Sequence, residues 1–251
     1  PREAMNTIEQ IVLCKLMLFS YIYHHQKVRA AEGLLERMLT RSVRLWRERG
    51  ETDWYILERF LIASDSSLHS TLDSSLNDEI VSNCSYRIVN RLLPREVYGI
   101  GGADASHAES VLLRSFLTDL QERNKRDQLV RKVEQFIGEE LKTLDHRLSQ
   151  LDWEQALLTA GVWFDVPKLP KIEDVQDLVI GGHKDVRGIA LTKVFPVGEW
   201  TEAYTHFKYQ VRVFAFSEYL DVAAEAARKA LERVIKITGS EFYDRIKRHR
   251  D

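Results

Sequence analysis

The strongest hydrophobic pattern in the sequence lies near its N-terminus. Between residues 11 and 23 only three residues interrupt a run of apolar and aromatic side chains. A helix that is apolar nearly all round is buried nearly all round. The run is too short to span a bilayer, because polar residues begin at His24. We therefore predict a helix over residues 7–49, capped by Thr7 and ended by Gly50, as the buried spine of a helical core. Unbroken, it would be about 60 Å long, so we expect a break within it.

Beyond the spine, apolar residues recur at helical spacing as far as residue 160. Gly161 then opens a part of the chain with short apolar strands. Helices are predicted over residues 54–63, 68–72, 79–93, 104–120, 129–137, 144–160, 199–207 and 218–237, and strands over residues 96–100, 162–166, 178–180, 189–194 and 209–216. This order predicts a mainly α-helical body over residues 1–160, followed by a small α+β domain over residues 161–251 in which a short sheet has helices on one face.

Composition and charge narrow the classes of function. The chain has 251 residues, of which 44% are hydrophobic and 29% charged, as in an ordinary globular protein. A net charge of −2 and a pI near 6.5 give no electrostatic case for nucleic-acid binding. Cys14 and Cys84 lie among apolar residues of predicted helices, so we expect two buried free thiols of a cytoplasmic protein. No transmembrane pattern is found in the sequence.

Candidate chemistry concentrates in the polar middle of the spine. His24, His25, Lys27 and Arg29 lie within six residues. Helical spacing places His24 with Lys27 on one face and His25 near Arg29 on another. Two imidazoles, an ammonium and a guanidinium can bind a phosphate group. The alternative is a helix that emerges from the core with its charges in water, and the pattern does not decide between the two. Nowhere do three ligands occur at the spacing that a metal needs, so no metal ligands are predicted. No Ser-His-Asp or Cys-His arrangement can be argued from the sequence, so no catalytic residues are predicted either.

The same region resembles a known family. The segment YIYHHQKVRAAEGLL, residues 21–35, is similar to the Y-x-x-V-Y-x-H-K-x-V-R-A-A-E-x-M-L stretch of HD-domain phosphohydrolases, relatives of the deoxynucleoside triphosphate (dNTP) triphosphohydrolases. Four further segments resemble motifs of that family in the same order, and the series covers nearly the whole chain. They are LIASD at residues 61–65, YRIVNRLLPREVY at 86–98, VWFDVP at 162–167 and YQVRVF at 209–214.

The resemblance implies that such an enzyme has two parts, an N-terminal module that binds the metal and a C-terminal half that does not. In the family, an N-terminal helical module binds a divalent metal through His, an adjacent His-Asp pair and a later Asp. This sequence contains no His-Asp dipeptide. The resemblance begins downstream of that module, so we expect this chain to correspond to the C-terminal half, with no cofactor of its own. By this resemblance, we expect the isolated chain to bind no divalent metal and to hydrolyse no nucleotide.

By resemblance, the spine lines a nucleotide pocket and continues to an oligomer interface. Lys27 matches a residue that contacts a triphosphate in nucleotide-regulated members, and His24, His25 and Arg29 carry over less directly. The expected partners are a nucleotide or another phosphorylated small molecule and further copies of the chain, without membrane or nucleic acid. The alternative function is a helical assembly module that binds no nucleotide and associates through the apolar residues 11–23.

Overall fold

Helices dominate the structure, and a small antiparallel sheet accompanies them. The structure is a computed structural model that describes residues 2–64, 67, 76–101, 123–167, 179–180, 189–190, 195–196, 199–200 and 210–238. The predicted fold class, a helical body with a small α+β part, is confirmed. In these ranges no helix is both long enough and apolar enough to cross a membrane. The helices predicted over residues 68–72 and 104–120, and most of the one over residues 199–207, lie outside the described residues.

The predicted spine consists of two helices joined by a short irregular segment. Helix α1 covers Arg2–Leu18, a π-helical segment covers Phe19–Tyr23, and helix α2 covers Gln26–Glu48. The expected break is therefore confirmed. Thr7 as the N-terminal cap is wrong, because α1 begins several residues before it. The end of α2 follows the prediction, since Gly50 takes the positive φ of +82° that suits a residue just past a helix.

The other described helices are α3 (Asp53–Ile62), α4 (Glu79–Val89), α5 (Arg123–Leu144), α6 (Trp153–Ala160) and α7 (Leu220–Thr238), the last preceded by a 3₁₀ turn (Ser217–Tyr219). Among them, α4 and α6 begin at side-chain caps. The Asp78 carboxylate accepts a hydrogen bond of 3.1 Å from the Val81 N–H and caps α4. Asp152 caps α6 in the same way. Gly161, with φ of +60°, ends α6.

The sheet is built around a late strand. It contains β1 (Arg95–Gly101), β2 (Trp163–Asp165) and β5 (Gln210–Ala215), in the order β1-β5-β2, and all its pairings are antiparallel. A separate two-residue pair joins β3 (Val179–Ile180) to β4 (Ile189–Ala190). Because successive side chains of a strand point to opposite faces, β5 contributes to the packing on both faces of the sheet.

Each face of the sheet is covered by helices. One core joins α5 and α7 to inward-facing residues of β5 such as Val211 and Val213. The second joins α2 and α4 to Trp163 and Phe214 on the opposite face. Helix α7, which follows Gly161, thus shares one face of the sheet with α5, and α2 and α4 cover the other face. Both cores draw residues from either side of residue 160, and the division into residues 1–160 and 161–251 stays a prediction.

Helix α2 lies so close to the sheet that it needs glycine at the contact. A Cβ atom added to Gly33 would lie 2.5 Å from the Trp163 indole, which is buried and stacks on Phe214 with ring centroids 5.2 Å apart. No real side chain tolerates such a contact without movement. The absence of a side chain at Gly33 therefore sets the distance between α2 and the sheet, and it positions the N-terminal part of α2 over β2.

The apolar N-terminal run is exposed, contrary to the prediction that it is buried nearly all round. Val12 and Leu16 are buried, but large side chains around them face solvent. These are Ile11, Met17, Leu18, Tyr21, Ile22 and Tyr23, with exposed fractions from 46% to 66%. The prediction assumed that other residues of this chain bury the apolar run. Cys14 is also exposed, so its predicted burial is wrong, whereas Cys84 is buried as predicted.

Candidate functional site

The break between the π-helical segment and α2 places the predicted site residues at a helix N-terminus. His25 has extended backbone angles (φ −65°, ψ 133°) and is the N-terminal cap of α2. Its Nδ1 accepts a hydrogen bond of 3.2 Å from the Lys27 N–H. An imidazole whose Nδ1 accepts carries its proton on Nε2 when neutral. His25 therefore leaves an N–H donor on its exposed side, next to Lys27.

His24 lies on the inner side of the same break. It is 7% exposed, and its backbone carbonyl accepts a hydrogen bond of 3.0 Å from Nη1 of Arg212 on β5. The break is therefore tied to the central strand of the sheet. The predicted sharing of one helical face by His24 and Lys27 is wrong, because His24 precedes the helix and is buried while Lys27 is exposed.

Arg29 binds protein carboxylates. Its Nε donates to Asp165 Oδ2 at 3.1 Å, and its Nη2 donates to Oδ1 of the same carboxylate. Its Nη1 donates to Glu32, which lies one helical turn further along α2, at 2.5 Å. Burial works against the charged form of Arg29, but the hydrogen bond and charge of Asp165, helped by Glu32, outweigh it and raise the pKa of the guanidinium. Arg29 thus stays charged and oriented toward the sheet.

A second ion pair continues this charge network beneath α2. Arg212 faces Asp165 across the β2–β5 pairing, and its Nε lies 3.1 Å from a carboxylate oxygen of Glu96 on β1. Glu96 also accepts a hydrogen bond of 3.2 Å from Gln210. Burial raises the pKa of Glu96 despite the nearby Arg212 charge. Arg29, Asp165, Arg212 and Glu96 alternate in sign, so the network is close to neutral, and it holds the start of α2 on all three strands of the sheet.

The four predicted residues thus fall into separate environments. His25 and Lys27 are exposed together at the start of α2, Arg29 is half-buried against Asp165, and His24 is buried. The first turn of α2 contains no acidic residue. Its free N–H groups and positive end of the helix dipole favour an anion there. Among the described residues, no carboxylate lies within ion-pair distance of Lys27. The exposed part of the candidate site is therefore a small cationic end of a helix, with the Arg29 network as its support.

The residues that hold this site in place were missed in the sequence. Asp165, Arg212 and Glu96 lie in predicted strands, and the first two stand inside otherwise apolar runs. A charge inside a buried strand requires a partner, and that signal could have singled out both residues. It could not have named the partner, because Arg29 and Asp165 are 136 positions apart. Across the described ranges, no group of three His, Cys, Asp or Glu side chains is arranged to bind a metal ion.

Comparisons with known proteins add no identification. No protein-family model matches the chain, and no curated protein is significantly similar to it.

Proposed function

We propose that this chain forms the pocket wall and phosphate-binding part of an HD-domain, metal-dependent nucleotide phosphohydrolase of the dNTP triphosphohydrolase type. The observation that supports it best is the start of α2, where the exposed Lys27 stands beside the His25 cap in a helical turn without acidic residues. A triphosphate carries several negative charges and many acceptor oxygens. It therefore fits an ammonium group, an imidazole N–H and the free N–H groups of a helix terminus.

In this proposal the residues have different roles. Lys27 contacts phosphate directly as a point charge, and the His25 Nε2–H donates a directional hydrogen bond. Arg29 acts as a positioning residue, because its guanidinium is engaged by Asp165 and Glu32. His24 fixes the break beneath the site through its carbonyl. A divalent metal held by an HD module would activate the attacking water, and this chain's cations stabilise the negative charge of the phosphates.

Titration calorimetry with dNTPs tests the proposal. We expect saturable binding to the wild-type chain and at least about tenfold weaker binding to Lys27→Ala, since a hydrogen bond to a charged group contributes about 1.5–3 kcal/mol. Arg131→Ala is the matched control, because it removes an exposed cation from α5 and should leave the affinity unchanged. Absence of saturable binding, or equal affinity of wild type and Lys27→Ala, would contradict the proposal. Metal-dependent dNTP hydrolysis by the purified chain would also contradict it.

A second candidate function is supported by the exposed run of α1 and the π-helical segment. Ile11 is 62% exposed and Tyr21 is 66% exposed, on a face that also carries Met17 and Ile22. Contiguous apolar surface of this kind is typical of association surfaces. In this alternative the chain is an assembly module that binds no nucleotide. Joint replacement of Lys27 and Arg29 by Ala separates the two functions: loss of nucleotide binding supports the first. Assembly that is unchanged, with no nucleotide binding in either form, supports the second.

A further inference from the structure

Helix α3 presents a second apolar face that the proposed functions do not use. Ile56 and the half-buried Phe60 hold the helix against the body. At 3.6 residues per turn, the opposite side of the helix is nearly all apolar. Its exposed large side chains are Trp54 at 70%, Tyr55 at 62%, Leu57 at 48%, Leu61 at 73% and Ile62 at 76%. We name these five side chains the α3 ridge.

A groove lies directly beside the α3 ridge. It has a volume of about 750 Å³ and runs between α2 and α3. Its apolar lining comes from Leu39, Val43 and Phe60, and its polar lining is formed by Thr40, Arg44, Arg47 and Glu48. Phe60 is three residues from Leu57, so the two side chains are neighbours on the surface of α3 and join the groove to the α3 ridge. Each copy of the chain therefore carries both a convex and a concave apolar element, side by side.

We propose that this surface is a homotypic docking site, in which the α3 ridge of one copy packs into the groove of a second copy. An isologous two-fold interface requires a self-complementary patch, and an adjacent ridge and groove supply one. The size is also sufficient. The α3 ridge exposes on the order of 650 Å², taking about 150–250 Å² for each large side chain. Two copies would bury about 1,300 Å², which lies within the range of about 1,200–2,000 Å² for specific interfaces.

The charges around the surface are complementary in the same arrangement. Glu58 is the acidic residue on the exposed side of α3, and Arg44 and Arg47 lie at the groove. A two-fold axis between the copies brings Glu58 of each toward an arginine of the other. Within one chain these arginines pair with the exposed carboxylates of Glu48 and Asp53. Such exposed pairs contribute little stability, so exchanging them for intermolecular pairs costs little.

The α3 surface is separate from the candidate phosphate site at the start of α2 and from the exposed apolar face of α1 and the π-helical segment. The π-helical segment joins the N-terminal end of α2, whereas α3 follows its C-terminal end. The 23 residues of α2 separate these ends by about 35 Å. Docking through α3 is thus independent of phosphate binding at Lys27 and of association through α1. Two isologous surfaces at distant positions would together build an assembly larger than a dimer.

Sedimentation velocity over a wide range of protein concentration tests the docking. We expect reversible self-association of the wild-type chain, weakened at least about 30-fold in Leu61→Glu, the ratio that corresponds to a hot-spot residue. Val89→Glu is the matched control, because it places the same charge on an exposed apolar residue of α4 and should not change association. Ile11→Glu reports on the α1 face in the same assay, and circular dichroism of each variant checks its folding.

A crosslinking experiment gives an independent readout. In a Cys14→Ser background, a chain with Ile62→Cys on the α3 ridge, mixed with a chain with Val43→Cys at the groove, should form a disulfide-linked heterodimer under mild oxidation, whereas Val89→Cys mixed with the same Val43→Cys chain should stay monomeric. Charge reversal adds a pairing test: Glu58→Arg should weaken association, and adding Arg47→Glu in the same chain should restore it. The proposal is overturned if the wild type has the mass of a monomer at every protein concentration. It is equally overturned if Leu61→Glu associates like the wild type, or if Val89→Glu weakens association to the same extent.

Discussion

The ion pair between Arg29 and Asp165 is the contact on which the position of the candidate site depends most. Asp165 is 5% exposed, and both of its oxygens accept from the Arg29 guanidinium. We therefore chose Asp165→Ala as the perturbation. It leaves a half-buried guanidinium with Glu32 as its carboxylate partner. The start of α2 would also lose its direct ionic link to β2.

The expected cost follows from burial. Breaking a buried ion pair by removing one partner costs about 3–5 kcal/mol, because the remaining charge is left uncompensated. The Arg29 side chain retains 23% exposure and keeps Glu32, so water and a second carboxylate reduce that cost. We expect about 2–3 kcal/mol of lost unfolding free energy for Asp165→Ala. With a urea m-value of about 1–3 kcal/mol per molar, the midpoint of unfolding falls by about 1 M.

Urea unfolding followed by circular dichroism measures this shift, and a double variant tests its cause. Arg29→Met with Asp165→Leu removes both charges and fills the space with apolar groups, so it should recover at least half of the loss. Arg131→Ala, which breaks an exposed pair with Glu154, should leave the midpoint unchanged. An unchanged midpoint in Asp165→Ala, or a double variant less stable than the single one, would refute the reasoning.

Three further predictions concern packing, thiol reactivity and acid stability. Gly33→Ala should destabilise the fold by about 1–3 kcal/mol in urea unfolding, because the added methyl group would lie 2.5 Å from the buried indole of Trp163. This cost should exceed the gain from the higher helix propensity of alanine. A stability equal to that of the wild type would contradict the prediction. Cys14 should react rapidly with Ellman's reagent while Cys84 reacts only after unfolding, since burial raises the Cys84 pKa to about 11; two equally fast thiols would refute it. Hydrogen bonds from Arg147 lower the pKa of Asp145 from 3.8 to about 2, so its contribution to stability is present above pH 3.8 and is lost as the pH falls toward 2. The stability of Asp145→Asn should accordingly fall less with acid over this window, as measured by unfolding at each pH, and parallel curves for the two proteins would contradict the assignment.

Secondary structure was predictable where the signal is local. Asp78 caps α4 through a hydrogen bond to a residue three positions away, where a helix start was predicted, and Gly50 and Gly161 adopt the positive φ that ends a helix. Such contacts can be inferred from neighbouring residues alone. Asp152 caps α6 in the same way as Asp78 caps α4, but no helix start was predicted there, because residues 144–160 were predicted as one stretch, whereas residues 145–152 separate α5 from α6. The prediction of Thr7 as a helix cap was wrong although it also rested on a local signal. Threonine is a common cap residue, but α1 begins at Arg2, before Thr7.

Burial and the site's support could not be inferred from local patterns. The run over residues 11–23 indicates an apolar surface, but the pattern cannot tell whether that surface is covered within the chain or exposed. The link from Arg29 to Asp165 depends on α2 packing across β2, which Gly33 and Trp163 permit. The sequence singles out the cationic segment as a candidate site. It did not distinguish the exposed Lys27 from Arg29, which is bound to Asp165. Helical periodicity tells which residues of a helix share a face, but it does not tell which residues of other elements contact that face.

Binding of a dNTP to the wild-type chain and to Lys27→Ala is the most direct test of the central claim. The structure places Lys27 and the His25 cap together at a helix N-terminus without acidic residues in its first turn. We predict saturable binding by the wild type that weakens at least about tenfold in Lys27→Ala, while Arg131→Ala binds like the wild type. No binding by the wild type, or binding that Lys27→Ala leaves unchanged, would contradict the assignment of this helix terminus as a phosphate site.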